Sequence, residues 1–110
     1  MSVSVEHYLI YGCKFGEEFT EEYWEKDFRD DMEWDKTKPK DQPFFITDGM
    51  NGGYTFFGLI YQLSSGSDYE DKEKEIDFKY SPYPVMEKLW ELYPGMEIPE
   101  MKLYYLPHYV

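Results

Sequence analysis

The sequence of 110 residues contains no alanine, one arginine, two histidines and a single cysteine, Cys13. One cysteine excludes an internal disulfide and a zinc site built from cysteines. Apolar runs are also short, and none approaches the roughly 18–20 residues that a membrane span requires. The first residues, MSVSVEHYLIYG, have neither the basic start nor the long apolar stretch of a secretory signal. We therefore expect a cytoplasmic protein without a membrane partner.

Positive charge is scarce as well, since 11 Lys and Arg stand against 23 Asp and Glu, for a formal net charge of −12. This balance disfavours direct binding to DNA or RNA, because contacts to phosphates need Lys and Arg. Aromatic residues make up 21% of the chain, which is apolar area that disordered proteins lack. A folded single domain spanning residues 1–110 follows, because domains most often contain about 100–150 residues.

Two different apolar patterns divide the first half of the chain. Residues 3–11 alternate with period two, which predicts a strand, and the glycines on either side of Cys13 predict a short loop after it. Over residues 19–34 apolar side chains recur in steps of four, which predicts a helix with Thr20 as its N-cap. The inner stripe of that helix is expected to contain Trp24, Phe28 and Met32.

The middle of the chain predicts extended structure. Residues 44–47 and 54–63 are expected to form paired strands around the turn-forming hexapeptide DGMNGG at 48–53. Gly58, inside the second of these strands, predicts a bulge or the close approach of a neighbouring backbone. Residues 75–80 alternate apolar with charged side chains, which predicts a further strand with one solvated face.

The last third of the chain predicts a helix and a strand. Ser81 and Pro82 suit the N-cap and the first helical position, and the pair Pro94-Gly95 ends the helix. A final strand is expected over residues 101–106. The predicted order is β-α-β-β-β-α-β, so we expect an α+β fold in which one mostly antiparallel sheet of about five strands carries two helices on one face.

Residues suited to catalysis or metal binding are few. His7 and His108 are the only imidazoles, and nothing in their spacing to Cys13 requires a nucleophile and base to meet. The acidic pair at 30–31 and the segment 68–77 both lack the central glycine of a calcium-binding loop. The sequence therefore predicts no enzyme activity, no metal site and no cofactor. A small enzyme that uses its histidines or acids is the alternative of that class.

Acidic residues are densest between Glu17 and Asp35, where ten carboxylates and two cations give a net charge of −8. The acids are Glu17, Glu18, Glu21, Glu22, Glu25, Asp27, Asp30, Asp31, Glu33 and Asp35. On a helix that rises 1.5 Å per residue, this is on the order of one carboxylate per 3 Å of axis, against one phosphate charge per ~1.7 Å of duplex DNA. The segment therefore predicts a surface that places carboxylates where a partner expects phosphates.

Aromatic residues lie among these acids and suggest anchors for the same partner, because Tyr and Trp are enriched at binding hot spots. The residues predicted to bind the partner are Glu18, Glu22, Glu25, Asp30 and Glu33, together with Tyr23 and Trp34. The expected partner is a host protein with a basic nucleic-acid-binding surface. Two alternatives stay open: an acidic face that is merely solvated, and an immunity-type or structural module that binds a protein through aromatic residues around the 48–53 turn.

Three stretches, YLIYGCKFGEEF, TDGMNGGYTFFGLI and KLYYLPHYV, make the whole chain resemble short acidic proteins encoded by phages of low-GC bacteria. The resemblance implies an accessory protein of the anti-defence type. Such a protein acts in the host cytoplasm on a restriction, CRISPR or other anti-phage effector, on a glycosylase or on RNA polymerase. Several inhibitors of this kind are small acidic nucleic-acid mimics. The resemblance carries no motif of known chemistry and assigns no site residue.

The chain end, KLYYLPHYV, predicts exposed apolar surface on a strand at the edge of the sheet. A second copy is the commonest cover for such an edge. The net charge of −12 opposes self-association, although salt screens that repulsion beyond ~8 Å. We expect a homodimer formed away from the acidic segment.

Overall fold

The computed structural model describes residues 5–48, 52–65 and 78–109. Its strands are β1 (Val5–Phe15), β2 (Phe44–Thr47), β3 (Thr55–Ser65) and β4 (Lys102–Tyr109), and its α-helices are α1 (Glu17–Glu22) and α2 (Pro82–Leu92). The strands form one antiparallel sheet in the order β2-β3-β1-β4. The predicted α+β class and the antiparallel sheet are thus confirmed.

At the centre of the sheet two glycines face each other across β1 and β3. Gly12 of β1 lies opposite Gly58 of β3, and a Cβ on Gly12 would stand 2.1 Å from the carbonyl oxygen of Phe57. The close backbone approach predicted at Gly58 is therefore confirmed. The prediction of a loop around Cys13 is wrong, since β1 continues through Cys13 to Phe15. The two facing glycines let the strands approach closely, and the ladder between β1 and β3 stays intact.

One face of the sheet, the helix face, is covered by both helices. Thr20 of α1 is buried, and its Oγ1 lies 2.7 Å from Oγ1 of Thr55 in β3. Phe19 of α1 packs against Phe15 of β1, with ring centroids 4.0 Å apart, and against Tyr93 at the end of α2, at 5.8 Å. The prediction of two helices on one face holds in the structure.

The opposite, concave face curves onto itself. The hydroxyl of Tyr54, just before β3, lies 2.8 Å from Nδ1 of His108 in β4, and the ring of Phe56 packs on Tyr104 at 5.1 Å. Both contacts span β1, which separates β3 from β4 in the sheet. Only a strongly coiled sheet brings these strands together, and the coil contributes to the burial of residues such as Ile10.

The helix predicted over residues 19–34 is shorter and broken. After α1 the chain forms a π-helical turn at Tyr23–Asp27, becomes extended through Arg29, and ends in a 3₁₀ turn at Asp30–Met32. Thr20 is inside α1 rather than its N-cap, and its hydroxyl donates to the carbonyl oxygen of Gly16 at 2.9 Å. Carboxylates three and four residues apart repel one another on a regular helix, which disfavours a long α-helix in this segment.

Four strands, rather than about five, are found in the described part of the chain. Of the strand predicted at 75–80, residues 75–77 lie outside the described residues. Phe78–Tyr80 are described and do not pair with the sheet; their rings pack on Tyr61 and Tyr11 instead. The second helix begins at Pro82 after Ser81, as predicted. The last strand begins one residue later than the predicted 101–106 and continues to Tyr109.

Candidate interaction surface

The acidic segment, residues 17–35, covers the outer side of the helix face and the edge of β2. Eight of its ten carboxylates are exposed, and only Asp27 and Glu33 are half-buried. The ion pairs found among the described residues, Lys88–Glu91 and Lys102–Glu100, lie outside this segment. Its carboxylates therefore form no ion pair within the described structure, although Lys38 attracts Asp35 at the end of the segment. The segment presents a concentrated negative potential to solvent.

A stacked aromatic pair lies in the middle of this acidic segment. The rings of Trp24 and Phe28 are 4.7 Å apart and nearly parallel, and 43% and 42% of the two residues are exposed. Both rings rest on the buried ring of Tyr23, at 6.0 Å and 5.7 Å. The prediction that Trp24 and Phe28 belong to the inner stripe is wrong, because the π-helical turn rotates the chain and points Tyr23 inward instead. Met32 is buried as predicted.

Tyr23 was predicted as a surface anchor, but it is 1% exposed and belongs to the core. Its ring packs on Phe45 of β2 at 4.7 Å, and its hydroxyl donates to Oε2 of Glu33 at 3.1 Å. In this conformation a partner cannot reach the ring of Tyr23. The residue instead supports the exposed pair from below and ties the turn to β2.

Glu33 is also turned inward. Its Oε1 accepts from Oγ1 of Thr47 at 3.1 Å while Oε2 accepts from Tyr23, and its backbone forms a parallel bridge with Phe45. Burial raises the pKa of Glu33 above its usual value, and the two hydroxyl donors oppose that shift. The expectation that Glu33 faces solvent is therefore wrong, since its carboxylate is a half-buried structural acceptor.

Trp34 lies apart from the exposed pair. The backbone N–H of Trp34 donates to the carbonyl oxygen of Phe45 at 2.8 Å, and its indole ring meets the ring of Tyr8 edge-on, with centroids 4.9 Å apart. It lines a cleft of about 300 Å³ together with Glu6, Asp35, Lys36 and His108, among others. The structure thus separates Trp34 from Tyr23: one lines the cleft beside the concave face, and the other is buried in the helix face.

The predicted binding residues therefore divide into two groups. Glu18, Glu22, Glu25 and Asp30 are exposed on one acidic segment, whereas Tyr23, Glu33 and Trp34 have structural contacts. Sequence reasoning missed Trp24 and Phe28 as exposed residues, because a spacing of four is the usual mark of an inward stripe. The crowding of acids around them was the signal against a regular helix.

Groups that react at other sites are held in structural contacts here. Cys13 is buried, its Sγ lies 3.5 Å from the carbonyl oxygen of Pro99, and burial raises the pKa of its thiol to about 11. His108 is bound to Tyr54, and burial lowers the pKa of its imidazole. No group of three or more His, Cys, Asp or Glu placed to hold a metal ion occurs among the described residues. The chemistry that the surface offers is attraction of cations by exposed carboxylates and ring faces.

Comparison with known proteins gives no family assignment: no family model, no curated protein and no solved structure matches the chain. Helices of the length and apolar character needed to cross a membrane are absent from the described part of the chain.

Proposed function

We propose that this protein binds the basic nucleic-acid-binding surface of a host protein, such as an anti-phage defence protein, and inhibits or modulates it by presenting carboxylates in place of phosphates. The observation that carries the proposal is the exposed Trp24–Phe28 stack, flanked in sequence by exposed carboxylates that form no ion pair within the described residues.

Charge supports the first half of this proposal. Concentrated negative charge destabilises a compact chain through self-repulsion, and solubility alone needs a net charge of magnitude ~2–8 in a small domain. The whole chain carries −12. A basic partner compensates this repulsion on binding, so that the same charge that weakens the free protein speeds association and stabilises the complex.

The aromatic pair supports the second half. Large apolar residues that are more than two-fifths exposed lose water on binding, and a Trp face attracts Lys and Arg side chains by cation–π interaction, worth about 0.5–2 kcal/mol. Tyr23, which itself packs on Phe45, supports both rings of the pair, so little ordering is required when a partner docks. In this arrangement the carboxylates bring the partner in and the rings hold it.

Charge reversal of the exposed helix acids tests the proposal. In the triple variant Glu18→Lys, Glu22→Lys and Glu25→Lys, binding to the basic partner should fall by at least about tenfold at physiological salt. The matched control reverses three exposed acids outside the segment, Asp41, Glu87 and Glu97, and should retain binding. Proteins captured from a bacterial lysate by the immobilised wild type should be released by duplex DNA and by salt.

Equal capture by the wild type and the Glu18, Glu22, Glu25 variant would overturn this proposal. Capture that duplex DNA does not compete would show that the protein is not a nucleic-acid mimic.

A second candidate is an immunity-type or structural interaction module that binds through its aromatic residues without mimicry. The exposure of Trp24 and Phe28 favours it, whereas Tyr54, next to the predicted 48–53 turn, has its hydroxyl on His108. The double variant Trp24→Ser and Phe28→Ser keeps every carboxylate. The module is the correct function if three results are found together. Binding by the wild type does not change with salt, the double serine variant does not bind, and the charge-reversal variant still binds.

A further inference from the structure

The outer edge of the sheet is β4, which has β1 as its strand neighbour in the described structure. On the helix face β4 presents Leu103 and Tyr105, which are 49% and 57% exposed, because α1 and α2 pack chiefly on β1 and β3. The ring of His7 stacks on Tyr105 at 5.8 Å. Tyr11 lies beside Leu103 in register and carries the ring of Tyr80 at 4.6 Å. These five residues form one strip of aromatic and aliphatic side chains, the β4 strip, in which His7 and Tyr105 also share a hydrogen bond.

The backbone of β4 offers hydrogen bonds at the same two positions. Pro107 lies opposite His7 in the ladder with β1. Proline has no N–H, so within a ladder it occupies positions whose N–H would point away from the neighbouring strand. Successive residues of a strand alternate in the direction of their N–H and C=O groups, and Leu103 and Tyr105 therefore share the direction of Pro107. Their backbone groups point to the outer edge.

Charge also separates the β4 strip from the acidic segment. The charged residues adjoining it in sequence are Glu6, Lys79 and Lys102. Glu6 shares the concave face with His108 and accepts from the hydroxyl of Tyr8, and Lys102 pairs with Glu100 at 3.8 Å. The acidic segment, in contrast, is bridged through Glu33 to β2, at the opposite edge of the sheet. Two chains of net charge −12 can therefore approach through their β4 strips with their acidic segments on the far sides, where salt screens the repulsion.

We propose that β4 pairs with β4 of a second copy in an antiparallel, two-fold homodimer centred on Tyr104. A two-fold axis perpendicular to the sheet places Leu103 of each copy opposite Tyr105 of the other, so that the most exposed apolar residues of the edge cover one another. The same register joins their outward N–H and C=O groups. An exposed edge that templates aggregation becomes the middle of a continuous sheet. This inference does not depend on the proposed function.

The mass in solution tests the homodimer. Sedimentation equilibrium in physiological salt, at about 100 µM protein because a dimer forms by mass action, should give twice the 13.3 kDa of one chain. The variant Tyr105→Lys should give the mass of one chain, since lysine on an edge strand opposes pairing. The matched control Tyr83→Lys changes a tyrosine that is 70% exposed on α2 and should remain dimeric.

A single-chain mass for the wild type at this concentration overturns the proposal, as does a Tyr105→Lys variant that is as dimeric as the wild type. If circular dichroism shows that Tyr105→Lys is unfolded, Leu103→Glu takes its place with the same expected result. The register has its own test: Tyr104→Cys with Cys13→Ser should form an intermolecular disulfide on oxidation, because facing residues at the axis have Cα atoms about 4.5 Å apart. A dimer that does not cross-link would overturn the register.

Discussion

The two faces of the sheet are buried by different means. The helix face is covered by side chains from elsewhere in the sequence, such as Tyr23 on Phe45 and Leu89 of α2. On the concave face, residues of the strands themselves meet across β1, as in the contact between Tyr54 and His108. The first face depends on helix packing, and the second depends on the coil of the sheet.

This difference places the two surfaces that we propose for binding. The helices rest mainly on β1 and β3, so the acidic segment follows them toward the β2 edge while the β4 end of the helix face stays exposed at Leu103 and Tyr105. The partner surface is charged and is expected to depend strongly on salt, whereas the β4 strip is apolar and is expected to depend on it weakly.

The largest effect is expected at the facing pair Gly12 and Gly58, whose strands carry both faces of the sheet. Gly12→Ala should destabilise the protein by about 3 kcal/mol or more, because a Cβ cannot stand 2.1 Å from a carbonyl oxygen without forcing β1 and β3 apart. Gly16→Ala is the matched control, since a Cβ there meets open space, and its cost should stay within about 0.5 kcal/mol. Urea unfolding curves measure the stability of both variants. Similar midpoints would contradict the claim that the close approach of β1 and β3 at the glycine pair stabilises the sheet.

The helix face follows from the sequence better than the concave face does. The spacing of four from Phe19 and the proline after Ser81 correctly predicted helical segments. Gly58 correctly predicted the close approach of a neighbouring backbone. The coil of the sheet has no comparable local signal, because it joins Tyr54 to a histidine 54 positions away.

The candidate site shows the same limit. Composition located the acidic segment, but the exchange of Tyr23 for Trp24 at the surface depends on one π-helical turn, which the spacing of apolar residues does not encode.

Glu33 tests the helix face with a smaller expected effect. Burial raises its pKa above the ordinary 4.5, so the ionised carboxylate costs stability at neutral pH, and that cost disappears as pH falls through the raised pKa. Glu33→Gln should therefore stabilise the protein at pH 7, by less than about 1 kcal/mol because the amide replaces a charged acceptor of two hydroxyl bonds.

The gain from Glu33→Gln should vanish near pH 4, where the wild-type side chain is itself protonated. Thermal unfolding at the two pH values measures it. Glu33→Lys is the contrasting variant: it places an ammonium against the hydroxyls of Tyr23 and Thr47 and should destabilise the protein at both pH values. A loss of stability in Glu33→Gln at pH 7 would show that the hydroxyl bonds outweigh the burial of the charge.

His108 tests the concave face, with the smallest expected effect and the opposite sign. Burial lowers the pKa of its imidazole below the ordinary 6.5, and attraction by Glu6 and Asp48 opposes part of this shift. The unfolded chain therefore takes up this proton first as pH falls, and the stability that neutral His108 contributes is lost from about pH 6.5 down to its folded pKa. His108→Asn, made in the Glu33→Gln background so that the opposing titration is absent, should flatten the fall in stability between pH 7 and pH 5. Tyr54→Phe in the same background removes the hydroxyl bond but keeps the imidazole. It should lower stability by about 0.5–1.5 kcal/mol and keep the same fall in stability between pH 7 and pH 5.

If His108→Asn leaves that fall in stability unchanged, the concave face is open enough at this end for the imidazole to stay hydrated, and the coil of the sheet does not bury it.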